Sequence, residues 1–243
     1  MTWCYILPVV LRARVGDVPD RALVTEFPEA TSWVKELLSD VKELPHVRGV
    51  GFAKGTYGRV EVAVVSHGYG GPSASIIVEE LSMLGVKYVV RLGEGASLGR
   101  GLGLGDVVVA SSASYRSGSL YRQYLREDIC VSASADHVVL RYVDEALTER
   151  SVKHLVSPVV TIDSYHTIAN SDVAGLSQIG AAVDLETAAV YVVSLLRGLR
   201  TVSVDVITRS LTTSEAIEDG ALRTLFRSVG EVLLDALSSL PRG

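Results

Sequence analysis

Val60-Glu-Val-Ala-Val-Val-Ser-His-Gly-Tyr-Gly-Gly-Pro-Ser73, together with Val86-Lys-Tyr-Val-Val-Arg-Leu-Gly-Glu-Gly-Ala-Ser-Leu-Gly99, is the stretch from which the fold can be read. Val60 to Ser66 is an apolar run that ends in a glycine-rich turn. Gly71-Pro72-Ser73 then opens a helix, because the N–H that proline lacks has no partner in a first helical turn. Ile76, Ile77, Leu81 and Leu84 recur at helical spacing, Gly85 stops the helix, and Val86 to Leu92 returns as a buried strand. This is a strand–helix–strand crossover. A second glycine-rich turn, Gly93 to Gly105, is expected after that strand, at the edge where α/β sheets place their ligand sites.

Strands and helices alternate outward from this unit. Trp3 to Leu11 reads as a first strand, because it lacks the basic start and cleavage site of a signal peptide. Ala22 to Thr25 is a short strand and Thr31 to Leu38 a helix whose start is marked by Pro28 and Thr31. Phe52 to Val65 is a hairpin turning near Tyr57-Gly58. After a strand at Asp106 to Ala110, the tyrosine- and arginine-rich segment Ser114 to Glu127 is too polar for the core and is expected as a surface or pocket-wall loop. Asp136 to Glu149 has the apolar spacing of a helix packed outside a sheet. Val156 to Ile162 is a strand interrupted by Pro158, and Ala181 to Val183 a short strand running into a helix, Glu186 to Arg197, that Gly198 ends. Thr201 to Thr208 is a buried strand and Leu222 to Leu240 an amphipathic helix.

With 243 residues, 48% hydrophobic and 21% charged, and no linker-like segment, the chain is expected to form one domain, 1–243. A net charge of −5 argues against nucleic acid and leaves a small molecule as the expected partner. The longest apolar runs, such as Ala188 to Leu196, fall well short of the ~20 residues that span a bilayer, so no membrane association is expected and a cytoplasmic location follows as the default. Cys4 and Cys130 show no metal spacing and are expected as two unpaired thiols, an intersubunit disulfide being the alternative. No metal site is expected.

Four segments in order carry a resemblance to a known family: His67-Gly-Tyr-Gly-Gly-Pro-Ser, Arg91-Leu-Gly, Ser114-Tyr-Arg-Ser-Gly-Ser-Leu-Tyr-Arg-Gln-Tyr-Leu-Arg-Glu, and Val183-Asp-Leu-Glu-Thr-Ala-Ala-Val-Tyr. Over nearly its whole length the chain resembles the nucleoside phosphorylases of hexameric type, which act on purine nucleosides, uridine or methylthioadenosine, and most of all their archaeal methylthioadenosine/purine branch. The resemblance implies an α/β phosphorylase/hydrolase-like fold: a central twisted mixed sheet partly closed into a barrel and flanked by helices. It also implies cleavage of an N-glycosidic bond, with phosphate as a possible co-substrate and no other cofactor. A homo-oligomer is implied as well, a hexamer or trimer of dimers, either alone or with an active paralogue.

Such chemistry needs an anion pocket for phosphate, a carboxylate on the ribose hydroxyls and an acid that helps the base depart. By resemblance Glu186 is the ribose ligand, because its two oxygens can accept from both hydroxyls. Leu185 stands where the family has methionine, a tolerated apolar swap. The alternative is that Glu186 only favours its helix N-terminus. Tyr165 falls where the family stacks an aromatic on the base, and Tyr69 is expected to line the same pocket.

The phosphate subsite departs from the family pattern. The family's Gly-Asp-Pro-x-Arg is best matched by Glu26-Phe-Pro-Glu-Ala30, which has lost both glycine and arginine; a rival alignment places Gly16-Asp17 to Arg21 there. Arg91 is retained and Arg48 matches the arginine lent by a neighbouring subunit, but Glu94 replaces a small hydroxyl residue. A carboxylate about 4 Å from a phosphate charge costs roughly 4 kcal/mol at an effective dielectric of 20, a thousandfold in affinity. Ordinary phosphorolysis is therefore expected to be impaired, with Glu94 and Glu26 lying between Arg91 and Arg48 in place of the anion.

At the leaving-group position the family's aspartate is Arg209, which cannot act as a general acid near neutral pH but can stabilise an anionic base or pair with an acid. Asp205 lies roughly 13 Å away by strand spacing, too far to substitute directly. The histidine that a neighbouring subunit sends to the 5′ side of the sugar has no match. Three functions stay open: a phosphorylase-type enzyme with an altered site, in which Arg209 and Glu94 stand at the catalytic positions; a nucleosidase in which Glu26, Glu29 or Glu94 activates water; and a non-catalytic nucleoside-binding or assembly paralogue.

Overall fold

The computed structural model describes residues 8–115, 119–125 and 131–241. Cys4 and Cys130, and most of the first expected strand, lie outside them; Leu11 bridges to His46. Among the described residues nine strands form one sheet: β1 (Arg21–Thr25), β2 (Ser39–Glu43), β3 (Phe52–Tyr57), β4 (Val60–Ser66), β5 (Tyr88–Ser97), β6 (Val107–Tyr115), β7 (His154–Thr161), β8 (Ala182–Asp184) and β9 (Arg200–Ser210). Seven α-helices among the described residues flank it: α1 (Pro28–Lys35), α2 (Gly71–Met83), α3 (Ser119–Leu125), α4 (His137–Glu149), α5 (Asn170–Ile179), α6 (Thr187–Arg197) and α7 (Asp219–Ser239).

The strand order is β2-β3-β4-β1-β5-β8-β7-β6-β9, and β9 also pairs with β5, so the last five strands close into a barrel. β1 pairs in parallel with β4 and β5, and β5 with β9, while β5–β8 and β6–β9 are antiparallel. The sheet is thus mixed and partly closed, as the resemblance implied. No helix among the described residues is long and apolar enough to cross a membrane.

Side-chain alternation divides the core in two. Val202, Val204 and Val206 of β9 face α1, α4 and α7 together with Leu23, Val90 and Leu92. Ala22, Val24 and Val89 face the opposite way, toward α2 and α6. Between the valines of β9 stand Ser203 and Asp205, both fully buried.

The expected crossover, hairpin and α4, α6 and α7 are all present, but four segments differ from the reading of the sequence. Gly93 to Ser97 is strand rather than turn: Gly93, Glu94 and Gly95 stay in register with Asp205, Val206 and Ile207, and the turn occupies 98–105. Ser114 to Glu127 is not simply a loop, because Ser114 and Tyr115 end β6, Ser119–Leu125 is helical and the rings of Tyr115 and Tyr121 stack at 4.1 Å. β2 is an additional edge strand with all five residues exposed. α5, whose large apolar residues Val173, Leu176 and Ile179 are too few for a clear stripe, is also additional.

Candidate functional site

Three strand ends, one helix start and the interiors of two strands converge on the Arg91 cluster. β1 delivers Glu26, β4 delivers His67, and β8 delivers Asp184 and, at the start of α6, Glu186; β5 and β9 supply Arg91, Ser203 and Asp205 from their interiors. All seven side chains are buried.

The guanidinium is almost saturated. Nε donates to His67 Nε2 at 3.0 Å, Nη1 to Ser203 Oγ at 3.1 Å and Asp205 Oδ1 at 2.5 Å, and Nη2 to Glu186 Oε2 at 2.5 Å. Glu26 Oε2 lies 3.8 Å from Nη2 and Asp184 Oδ2 lies 3.6 Å from Nη1. Four carboxylates therefore surround one fixed positive charge, a ratio that water-free surroundings penalise. Burial, ahead of the opposing pull of Arg91, raises Glu186 above the usual carboxylate range and Asp205 to about 8. Burial and then the Glu186 charge hold Glu26 well above it.

Each neighbour is positioned by the local backbone. Gly70, at φ 86°, turns its N–H to Glu186 Oε1 at 2.6 Å, a conformation that L side chains rarely adopt. Asp184 accepts from the Thr187 N–H at 2.7 Å and Thr161 Oγ1 at 2.6 Å, which ties β7 to the start of α6. His67 Nδ1 meets the Gly68 carbonyl at 2.5 Å while Nε2 accepts from Arg91; this fits a neutral ring, and burial followed by the Arg91 charge lowers His67 to about 3.

Glu186, Arg91 and Glu26, singled out in the sequence, are thus brought together. Glu94 is not on Arg91: three residues along a strand, it projects from the opposite face, and its backbone N–H donates to Glu26 Oε2 at 2.8 Å. The acids on Arg91 are instead Glu186 and Asp205, and this corrects the expectation that Glu94 takes the anion's place. Arg48 sits exposed in a turn at φ 68°, with no ion pair among the described residues. Arg209 is exposed near the end of β9 and shares a cleft of about 220 Å³ with Tyr165, Ile168, Leu211 and Glu215. Leu185 packs partly buried beside Val183 and Tyr165. Tyr69 stands two-thirds exposed near the acids, and both tyrosine hydroxyls are raised, by burial first and then by the charge of Glu26. No metal-binding cluster occurs among the described residues.

The sequence reading missed Asp205, Asp184, His67 and Ser203 as partners of Arg91. The available signal was the alternation in Val202-Ser-Val-Asp-Val206, which gives one face of a buried strand polar groups that must be satisfied.

A mixed sheet closing into a barrel, with a charged cluster at the strand ends, defines an α/β protein of the phosphorylase type. The chain belongs to the family described as the Phosphorylase superfamily, whose sequence model matches residues 20–236. A DeoD-type purine nucleoside phosphorylase of Bacillus cereus is 29% identical over 233 residues, covering 95% of this chain and 98% of that protein. Two solved structures share the fold. A uridine phosphorylase from Vibrio fischeri has TM-score 0.85 at 24% identity, covering 98% of this chain and 100% of that one. A purine nucleoside phosphorylase from Toxoplasma gondii in complex with immucillin-H has TM-score 0.86 at 23% identity, covering 98% and 97%.

Proposed function

We propose that this protein binds a purine nucleoside or its 5′-methylthio analogue through Glu186 and acts on its N-glycosidic bond, with the phosphate subsite closed by the chain's own carboxylates. The curated purine nucleoside phosphorylase relative supports the nucleoside. The observation that carries the closed subsite is the Arg91 guanidinium held by Asp205 and Glu186, each at 2.5 Å. Glu186 keeps capacity for a sugar, because each carboxylate oxygen has two lone pairs and the two recorded hydrogen bonds use one apiece. A cytoplasmic homo-oligomer belongs to the same proposal.

Glu26 favours a second reading. It is buried beside Arg91 and its proton affinity is raised, properties that suit a base for water in place of phosphate. The test is release of free base from adenosine, inosine, methylthioadenosine and uridine, with and without phosphate, alongside inosine binding by calorimetry. The expected result is saturable inosine binding and slow base release that phosphate accelerates less than about tenfold, below 1.4 kcal/mol of barrier. Strictly phosphate-dependent turnover overturns the closed subsite, and absence of any nucleoside binding overturns the whole reading. Release without phosphate that Glu26→Gln abolishes selects the hydrolytic form.

A further inference from the structure

Two glycines on the inward face of β5 create the space in which Arg91 and Asp205 meet. A Cβ on Gly93 would lie 2.3 Å from Arg91 Nη2 and 2.5 Å from its Cζ, so the guanidinium folds back along its own strand over a residue without a side chain. A Cβ on Gly95 would lie 3.1 Å from Asp205 Cβ on the neighbouring strand. The pattern Arg91-Leu-Gly-Glu-Gly95 opposite Ser203-Val-Asp205 therefore builds a slot inside the barrel that draws the arginine away from the strand ends.

Three of the four acids around the guanidinium are held differently. Glu186 is fixed at its other oxygen by the Gly70 N–H, and Glu26 is fixed at Oε2, the oxygen facing Arg91, by the Glu94 N–H. Among the described residues the Asp205 side chain has Arg91 as its one hydrogen-bond partner, and its Oδ2 is a buried oxygen with none. Burying an acid this way costs stability, and the contact it makes serves only to hold Arg91.

We infer that Asp205 is a positioning residue that sets the choice of nucleophile: by holding Arg91 Nη1 within the barrel it keeps the protein from gripping an oxyanion such as inorganic phosphate. This rests on the reading of Arg91 as the arginine of the anion subsite. Freed from Asp205, Nη1 regains a donor of the kind that binds phosphate oxygens. Structural damage does not produce such a gain of affinity, so the gain separates positioning from simple support.

The experiment is calorimetric titration of the full chain with inorganic phosphate, comparing the natural protein with Asp205→Ser and Asp205→Asn. Asp205→Ser is expected to bind phosphate at least tenfold more tightly than the natural protein. Asp205→Asn, which keeps an acceptor for Arg91 but cannot ionise, is expected to gain less. Phosphate affinity unchanged within twofold in both variants overturns the inference, as does tight phosphate binding by the natural protein. Should the serine variant fail to fold, the nearly isosteric asparagine variant decides: a gain of threefold or more supports the inference and no gain overturns it. The phosphate titration needs no nucleoside, so a natural protein that ignores inosine sinks the proposed function while leaving the role of Asp205 to be judged separately.

Discussion

Arg91 makes four hydrogen bonds to His67, Ser203, Asp205 and Glu186, and the balance of charge around it makes stability depend on pH. An unfolded aspartate releases its proton near 3.8, whereas Asp205, buried and facing Asp184 and Glu186 against the opposing pull of Arg91, holds its proton to about 8. Between those values the folded chain carries the extra proton. The contribution of Asp205 is therefore complete below the unfolded pKa and is lost as pH rises through the folded one. The melting temperature is expected to fall from pH 5 to pH 9, and Asp205→Asn to flatten that fall. The variant should melt above the natural protein at pH 9, by about 2–4 °C for each kcal/mol gained in a chain of this size. Scanning calorimetry across that range checks it, and a flat or rising profile for the natural protein contradicts it. At this scale local motifs singled out Glu186, Arg91 and Glu26, which the fold brings together. Asp205 and Asp184 stayed hidden because their relation to Arg91 runs across strands, through register that no local spacing encodes.

Helices and strands were readable wherever one face is apolar. α4 repeats its buried positions at Val139, Val143, Ala146 and Leu147, and Asp136 caps it by accepting from the Val138 and Val139 N–H groups. β2 gave no such signal: Ser-Asp-Val-Lys-Glu is an exposed edge whose charges keep other strands from adding to it. The close approach of two elements is equally invisible locally, and Gly230 in the middle of α7 is the clearest case. A Cβ there would lie 2.9 Å from Val34 Cγ2 of α1, so the helix gives up propensity to let α1 pack down. Alanine at this site gains roughly 1 kcal/mol of helix propensity but adds about 1–3 kcal/mol of overpacking. Gly230→Ala is expected to destabilise by up to about 2 kcal/mol in urea unfolding, and Val34→Ala by about 2 kcal/mol through lost burial. Because each relieves the other, the double variant should cost at least about 0.5 kcal/mol less than the sum. Additive losses would show that α1 and α7 accommodate the methyl by separating.

Across the whole molecule, the buried charge cluster sits at the strand ends of a closed barrel, while two of the arginines expected at the site stand apart from it. Arg48 is exposed, and Arg209 is exposed in the cleft with Tyr165. A single chain thus pairs the arginine it buries and leaves Arg48 outside, an arrangement that gains a purpose if a second copy brings its own Arg48 to the mouth of this site. The outer face of α2 shows Ile76 and Met83, seven residues apart and so on one side of the helix, and α6, which packs against α2, shows Leu195 and Leu196. Apolar residues left in water on adjacent helices are what an association surface requires. The homo-oligomer is therefore expected in solution as a multiple of the 25.9 kDa chain, an even one if pockets are completed pairwise. Size-exclusion chromatography with light scattering checks the mass, and a monomer at micromolar concentration contradicts the proposal. Arg48→Ala separates assembly from the site. Complementing a neighbour's pocket predicts an unchanged mass with inosine affinity lowered about tenfold, or 1.4 kcal/mol. Unchanged affinity in an intact oligomer would return Arg48 to the surface turn it occupies.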